Sequence, residues 1–325
     1  MGKTYTNEQI LERLKSLEGL LLERVFETSY SESLRTYDLI DHLRCKAHDL
    51  GLEGEDTYTA LIRDLEKLSS TIGGLINGKR GELLAAKSLR CLRGDSLLLS
   101  NIALPNGDSF EEYDQVLIAR SGIYVIEVKN YRNDVVIDDG GILRCGLRSY
   151  NVGERMREKM HALWDAVQFS SDGYMTEEDV HGMLLFVNND ASVTDLFHRV
   201  PVMRCGQIVY SIEDATRCNE KLSWEDMVRI KSVLLARRTA AEFPMPLDEN
   251  RVKGELEDFL DLVEAETAKE AAKSTTAGHN EVDSPTTLDN HGRHSPLPSW
   301  VPAVAAVISG LAIGAGGLFL HAKKG

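Results

Sequence analysis

Residues 110–131 read FEEYDQVLIARSGIYVIEVKNY, and the reading of this stretch decides the fold. Two short runs rich in β-branched and aromatic residues, YDQVLIA and IYVIEVKNY, flank the turn residues Arg120-Ser121-Gly122. Such runs on either side of a turn signal predict an antiparallel hairpin. If the turn is tight, Asp114 lies directly opposite Glu127, and cross-strand neighbours on one face have Cβ atoms about 5 Å apart. Lys129 is two residues on from Glu127 and points to the same face, because side chains alternate along a strand. The hairpin therefore gathers two carboxylates and an ammonium on one side of a sheet. A slip of one residue in register would send Asp114 to the other face.

Two carboxylates that close repel in a half-buried site unless a divalent cation lies between them. Mg²⁺ (or Mn²⁺) takes oxygen ligands and keeps several waters. A water held there beside Lys129 is a workable nucleophile for attack on phosphorus, and the metal offsets charge developing on the phosphate oxygens. Lys129 would orient or help deprotonate that water, or pair with the phosphate. Glu82, in the helical stretch before the first strand, is within reach of the same site, where it would bind a second metal or hold a water. A Glu-x-Lys on a strand is by itself usually a solvated ion pair. The register of Asp114 and the position of Glu82 set this one apart.

Outward from the hairpin, residues 78–93 predict a helix, and LLLSNIAL predicts a strand that turns at Pro105-Asn106-Gly107-Asp108. VVID and GILRC look like a further strand pair. Residues 152–169 are helical, with Met156, Met160, Leu163, Trp164 and Val167 on one face. GMLLFVNN predicts a buried strand and QIVYSI another, followed by helices at 223–240 and 250–273, the last strongly acidic. At the other end, residues 7–76 are helical. Ile10, Leu14, Leu17, Leu21 and Val25 repeat at coiled-coil spacing, which predicts a hairpin or bundle that packs or dimerises.

An acidic residue in a first helix, Asp on one strand and Glu-x-Lys on the next resemble the PD-(D/E)XK nuclease superfamily. The order Gly81-Glu82, Tyr113-Asp114-Gln115-Val116 and Gly122-Ile123-Tyr124-Val125-Ile126-Glu127-Val128-Lys129-Asn130-Tyr131 resembles more specifically the nuclease-related domain (NERD) family, over about residues 78–195. The resemblance implies an α/β fold with a mixed sheet flanked by helices, and Mg²⁺-dependent cleavage of DNA phosphodiester bonds. By that likeness Asp114, Glu127 and Lys129 match the catalytic positions and Glu82 the helix acid; Asp114, Glu127 and Glu82 are then the metal ligands. The family's Asn-Pro-x-x-Gln pattern, which opens the next helix, reads here Asn151-Val152-Gly153-Glu154-Arg155, with arginine in the glutamine position.

The whole chain of 325 residues carries 37 Lys and Arg against 51 Asp and Glu, a net −14, which argues against bulk coating of nucleic acid. Between Gly78 and Met160 the counts are 13 and 12, so the acid is concentrated elsewhere. Arg120, Arg132, Arg144, Arg148, Arg155 and Arg157 are candidates for phosphate contacts. The five cysteines are widely spaced with no CxxC pair, and read as reduced thiols of a cytosolic compartment. Two decoys fall away. Gly73–Lys79, GGLINGK, is followed by Arg80 where a phosphate-binding loop needs Ser or Thr, and no apolar strand precedes it. His42, Cys45 and His48 drift around a helix and have no fourth ligand.

The amino terminus is interrupted by charges and is no signal peptide. Val301–Leu320 is uncharged for 20 residues, about 30 Å as a helix, and predicts a transmembrane span with Trp300 at one interface. Gly310 and Gly314 form a GxxxG suited to helix pairing. Lys323 and Lys324 favour a cytoplasmic C-terminus, but that would require exporting the rest of the chain without a signal, so the catalytic domain is expected in the cytoplasm. The expected organisation is a helical region at 1–77, the nuclease-related domain at 78–215, C-terminal helices at 216–273, a flexible linker at 274–299 and the membrane helix at 300–321. Expected partners are DNA, the membrane, and a second copy paired through the N-terminal helices, Gly310 and Gly314, or both. The competing expectations are a non-catalytic anchored adaptor with a nuclease-like fold, and a membrane scaffold whose acidic 250–273 helix recruits a basic partner.

Overall fold

The computed structural model describes residues 3–26, 33–146, 148–170 and 175–277. Val301–Leu320 with its Gly310 and Gly314, and the linker from residue 278 on, lie outside the described residues; among those described, no helix is long and apolar enough to cross a membrane.

Four helices build an N-terminal bundle. Helix α1 (Asn7–Val25) opens on a capping box, in which the Thr6 hydroxyl accepts from the Gln9 N–H and the Gln9 side chain accepts from the Thr6 N–H. Helix α2 (Thr36–Leu50) ends at Gly51 in the left-handed conformation, φ 67°. Helix α3 (Asp56–Leu89) runs for 34 residues. The fourth member is the most distant in sequence, α7 (Glu249–Ala277). Ile10, Leu14, Leu17 and Leu21 are buried against Leu39, Leu43, Leu61, Leu65, Val252 and Phe259. The seam that could have paired two chains is thus covered within one. Arg251 reaches back from α7 to the buried Asp64 carboxylate of α3.

The central sheet has five strands in the order β10-β8-β4-β3-β2. Strands β2 (Ser96–Asn106), β3 (Ser109–Ala119) and β4 (Gly122–Lys129) form an antiparallel meander, and β4 pairs in parallel with β8 (Val180–Phe186), itself parallel to β10 (Val202–Arg204). The crossover from β4 to β8 carries α4 (Val152–Val167), which packs on one face of the sheet with α6 (Trp224–Arg237). The other face is covered by the last turns of α3 and by α5 (Cys205–Cys218). A second, four-stranded sheet has the order β7-β6-β5-β9 (Arg148–Asn151, Ile142–Cys145, Val135–Ile137, Val193–Asp195). Two-residue strands β1 (Thr4–Tyr5) and β11 (Phe243–Pro244) pair with each other. The result is a mixed α/β architecture with helices on both faces of a mixed sheet.

Two sequence expectations change. The run QIVYSI lies in α5, not in a strand. Its Ile208 and Ile212, four apart, are buried on the sheet while Tyr210 between them is 66% exposed, so the period is helical despite the β-branched residues. The boundaries at 77/78 and 215/216 fall inside helices, α3 running across the first and α5 across the second, and α7 joins the bundle of α1–α3.

Candidate active site

The β3–β4 hairpin turns at Arg120-Ser121, with Ala119 paired to Gly122, Leu117 to Tyr124 and Gln115 to Ile126. Gly122 has φ 142°, and a Cβ there would sit 2.4 Å from the Asp179 carbonyl, so only glycine fits. In this register Asp114 and Glu127 are the next pair, where the ladder stops. On the other side the β2–β3 pairing skips Asn101, which has φ 51° and lies opposite Asp114. Asp114 fills the gap with its side chain: Oδ2 accepts the Val128 N–H at 2.7 Å.

Ile123 and Val125 pack into the α4-side core, so by alternation Glu127 and Lys129 face α4; on β3 Tyr113, Val116 and Ile118 all pack into that same core, so the alternation is broken at Asp114. Lys129 Nζ donates to Glu127 Oε1 at 2.7 Å. The second Glu127 oxygen, Oε2, accepts at 2.5 Å from Lys159 Nζ, a residue of α4 that the sequence reading did not single out. Lys159 is 6% exposed. Its carbonyl accepts the Tyr113 hydroxyl at 3.0 Å, and its ammonium lies 3.9 Å from Glu111 Oε1. Arg155, in the position where the related pattern has glutamine, pairs with the same Glu111 oxygen at 3.0 Å. Lys129 lies over the Tyr150 ring, 5.1 Å from its centroid.

The charge states follow from this crowding. Burial, and next the Glu127 charge, push the Asp114 carboxyl up to about 7, against the pull of both lysines and the Val128 N–H. Burial also acts to raise Glu127, but Lys129 and Lys159 outweigh it and hold that carboxyl at about 2. Burial would lower Lys129, and the Glu127 charge more than compensates, so it stays protonated.

Glu82 approaches from the opposite layer. Its helix α3 comes close to β4 because Gly81 has no side chain: a Cβ would stand 2.9 Å from Asn130 Cβ. Gln115, fully buried, fixes the helix by donating to the Glu82 carbonyl at 3.2 Å and accepting from Ser100 at 2.6 Å. Burial pushes the Glu82 carboxyl up, a hydrogen bond with Asn101 opposes this, and the Glu127 charge adds to it. Glu82, Asn101 and Glu112 line a groove of about 760 Å³ that also touches α1 and residues 238–241. Burial, followed by the Glu82 charge, raises Glu112 as well.

Among the described residues, no group of three or more His, Cys, Asp or Glu side chains is arranged to hold a metal ion. That covers Asp114, Glu127 and Glu82, and also His42, Cys45 and His48. The donor chemistry left is a pair of facing carboxylates. Asp114 Oδ1 accepts no hydrogen bond among the described residues, whereas both Glu127 oxygens hold ammonium groups. Two carboxylates with water in the remaining positions suit Mg²⁺, which keeps several waters, provided Glu127 exchanges one of its lysine contacts. Of the candidate phosphate contacts, Arg120, Arg144 and Arg155 are paired with Asp95, Asp138 and Glu111, while Arg132, Arg148 and Arg157 make no ion pair among the described residues. Gly73–Lys79 lies inside α3 and forms no loop.

No curated protein and no solved structure matches the chain significantly. The segment that holds Glu82, the meander, α4 and β8 does have a match: residues 77–187 fit the family model of NERD, the nuclease-related domain.

Proposed function

We propose that the chain is a divalent-metal-dependent nuclease that hydrolyses DNA phosphodiester bonds at the Asp114–Glu127 pair. The observation that carries this reading is the arrangement of two facing carboxylates on adjacent strands with two buried or half-buried ammonium groups, Lys129 of β4 and Lys159 of α4, in the segment that fits the nuclease-related domain. Asp114 and Glu127 would hold Mg²⁺ or Mn²⁺, which when bound supplies positive charge to the phosphate oxygens and to the attacking water. Lys129, fixed over Tyr150, holds its proton and presents a charge to a non-bridging phosphate oxygen. Lys159 keeps Glu127 ionised and oriented. Glu82, on the far side of the strand ends, positions a water or a second ion through the groove it lines.

The 301–320 segment would tether this domain to the cytoplasmic face of a membrane, with Gly310 and Gly314 pairing tails, so cleavage would be confined to DNA near the membrane, incoming foreign DNA included. The test uses full-length protein in detergent with Mg²⁺ and supercoiled plasmid. Wild type should nick the plasmid, and Lys129→Ala and Glu127→Gln should each slow nicking at least about 100-fold, in line with removal of a transition-state charge partner. Equal nicking by wild type and Lys129→Ala would refute the assignment.

One observation favours a second reading, that of a non-catalytic adaptor: both Glu127 oxygens are already occupied by lysines. An adaptor would show no heat of Mn²⁺ binding that disappears in Asp114→Asn and Glu127→Gln.

A further inference from the structure

The later turns of α3 have a face that the sheet does not cover. Ala85 and Leu89 point inward and are buried. The outward stripe is Ile76, Arg80, Leu83, Lys87 and Arg90, with Leu84 alongside. Spacings of four, three, four and three residues place these side chains on one side of a 3.6-residue helix. The apolar members are open to solvent: Ile76 is 41% exposed, Leu83 65% and Leu84 41%. Arg80, Lys87 and Arg90 are exposed and make no ion pair among the described residues, in contrast to Arg24, Arg44 and Arg120, which do. From Ile76 to Arg93 the chain has five Lys or Arg and one acid, Glu82, which lines the groove near the site. A molecule of net charge −14 thus concentrates unpaired positive charge among exposed aliphatic side chains on a single helix face.

The combination selects the occupant. Duplex DNA would engage the cations through its phosphates, but its backbone has nothing to offer three aliphatic side chains between them. An anionic bilayer surface takes both, with the cations at the headgroups and the aliphatic side chains at the acyl boundary. We propose that the Ile76–Arg90 face of α3 docks on an anionic lipid surface. This does not depend on the nuclease reading.

The experiment measures partitioning of full-length protein onto vesicles of phosphatidylcholine alone and of a mixture with about 30 mol% phosphatidylserine. Any contribution from the 301–320 segment is common to wild type and variants. Wild type should partition at least about tenfold more strongly onto the mixed vesicles, and Arg80→Glu/Lys87→Glu/Arg90→Glu should remove that gain. The neutralising Arg80→Gln/Lys87→Gln/Arg90→Gln should keep only a small part of it, and Leu83→Ser/Leu84→Ser should lose about fivefold. An environment-sensitive fluorophore on Leu83→Cys, with Cys45, Cys91 and Cys218 changed to serine, should shift to the blue on mixed vesicles only. Equal partitioning of wild type and both triple variants overturns the proposal, as does an unshifted fluorophore. It is also overturned if the triple variants lose retention on duplex DNA while vesicle partitioning is unchanged; the face then serves nucleic acid.

Discussion

Asp114 and Glu127 face each other with opposite proton affinities, which makes the pair sensitive to pH. Unfolded aspartate titrates near about 3.9 and folded Asp114 at about 7, so folded protein binds the proton more tightly. The contribution of this group to stability is therefore full below about pH 4 and declines as pH rises to about 7, in the absence of metal. Urea midpoints of wild type and Asp114→Asn should diverge in favour of the variant between those limits; parallel curves would refute the assigned shift. Lys159 offers a second test. Lys159→Met leaves Glu127 with one ammonium and Glu111 with Arg155, and should cost about 1–3 kcal/mol by urea denaturation. If Glu127 must yield a lysine contact to an ion, the same variant should bind Mn²⁺ more tightly by calorimetry. The alternation of a strand and the register of a tight hairpin put Asp114, Glu127 and Lys129 together on paper, because both are short-range rules. Lys159 enters from a helix, 32 residues after Glu127, which no local rule connects to it. A signal was present all the same: it lies beside Met160 on the apolar face of α4, where a lysine needs a buried partner.

Among the elements, the meander was legible because each strand is a β-rich run closed by a turn, and the turn at Arg120-Ser121 allows one register. The strand at QIVYSI was not, since a run of β-branched residues is read as a strand until it is known which faces are covered; the sheet buries Ile208 and Ile212 together. Asn101 was also invisible, because its positive φ belongs to the ladder gap opposite Asp114 and not to its own neighbours. Glycines separate the tight contacts from the loose ones. Gly81→Ala would press on Asn130 and move α3 away from β4, so it should reduce nicking more than it reduces stability. Gly74→Ala meets nothing within 4 Å and should stabilise the helix by about 0.5–1 kcal/mol in thermal unfolding. Gly122→Ala should be the severe case, with soluble yield and melting temperature both falling.

At the level of the whole molecule, buried residues between Ile10 and Ile72 and between Leu247 and Phe259 share one core, although the sequence suggested separate regions. The reason it could not be read is that Val252, Leu256 and Phe259 display only that their helix has an apolar side, not which partner lies across from it. A chain ending at residue 248 would expose that side of the bundle, losing about 1.5–3 kcal/mol for each of the three side chains. It should melt in two transitions or aggregate, where the full chain melts in one; calorimetry distinguishes these. The unbroken α3 has a further consequence. Leu65 and Leu68 engage the bundle while Ala85 and Leu89 engage the sheet, all on a single rod about 50 Å long. Its two ends are locked in angular phase. Inserting one residue between Leu68 and Gly81 would rotate Glu82 by about 100° relative to the bundle, so length changes in that interval can be accommodated only in near-integral numbers of turns.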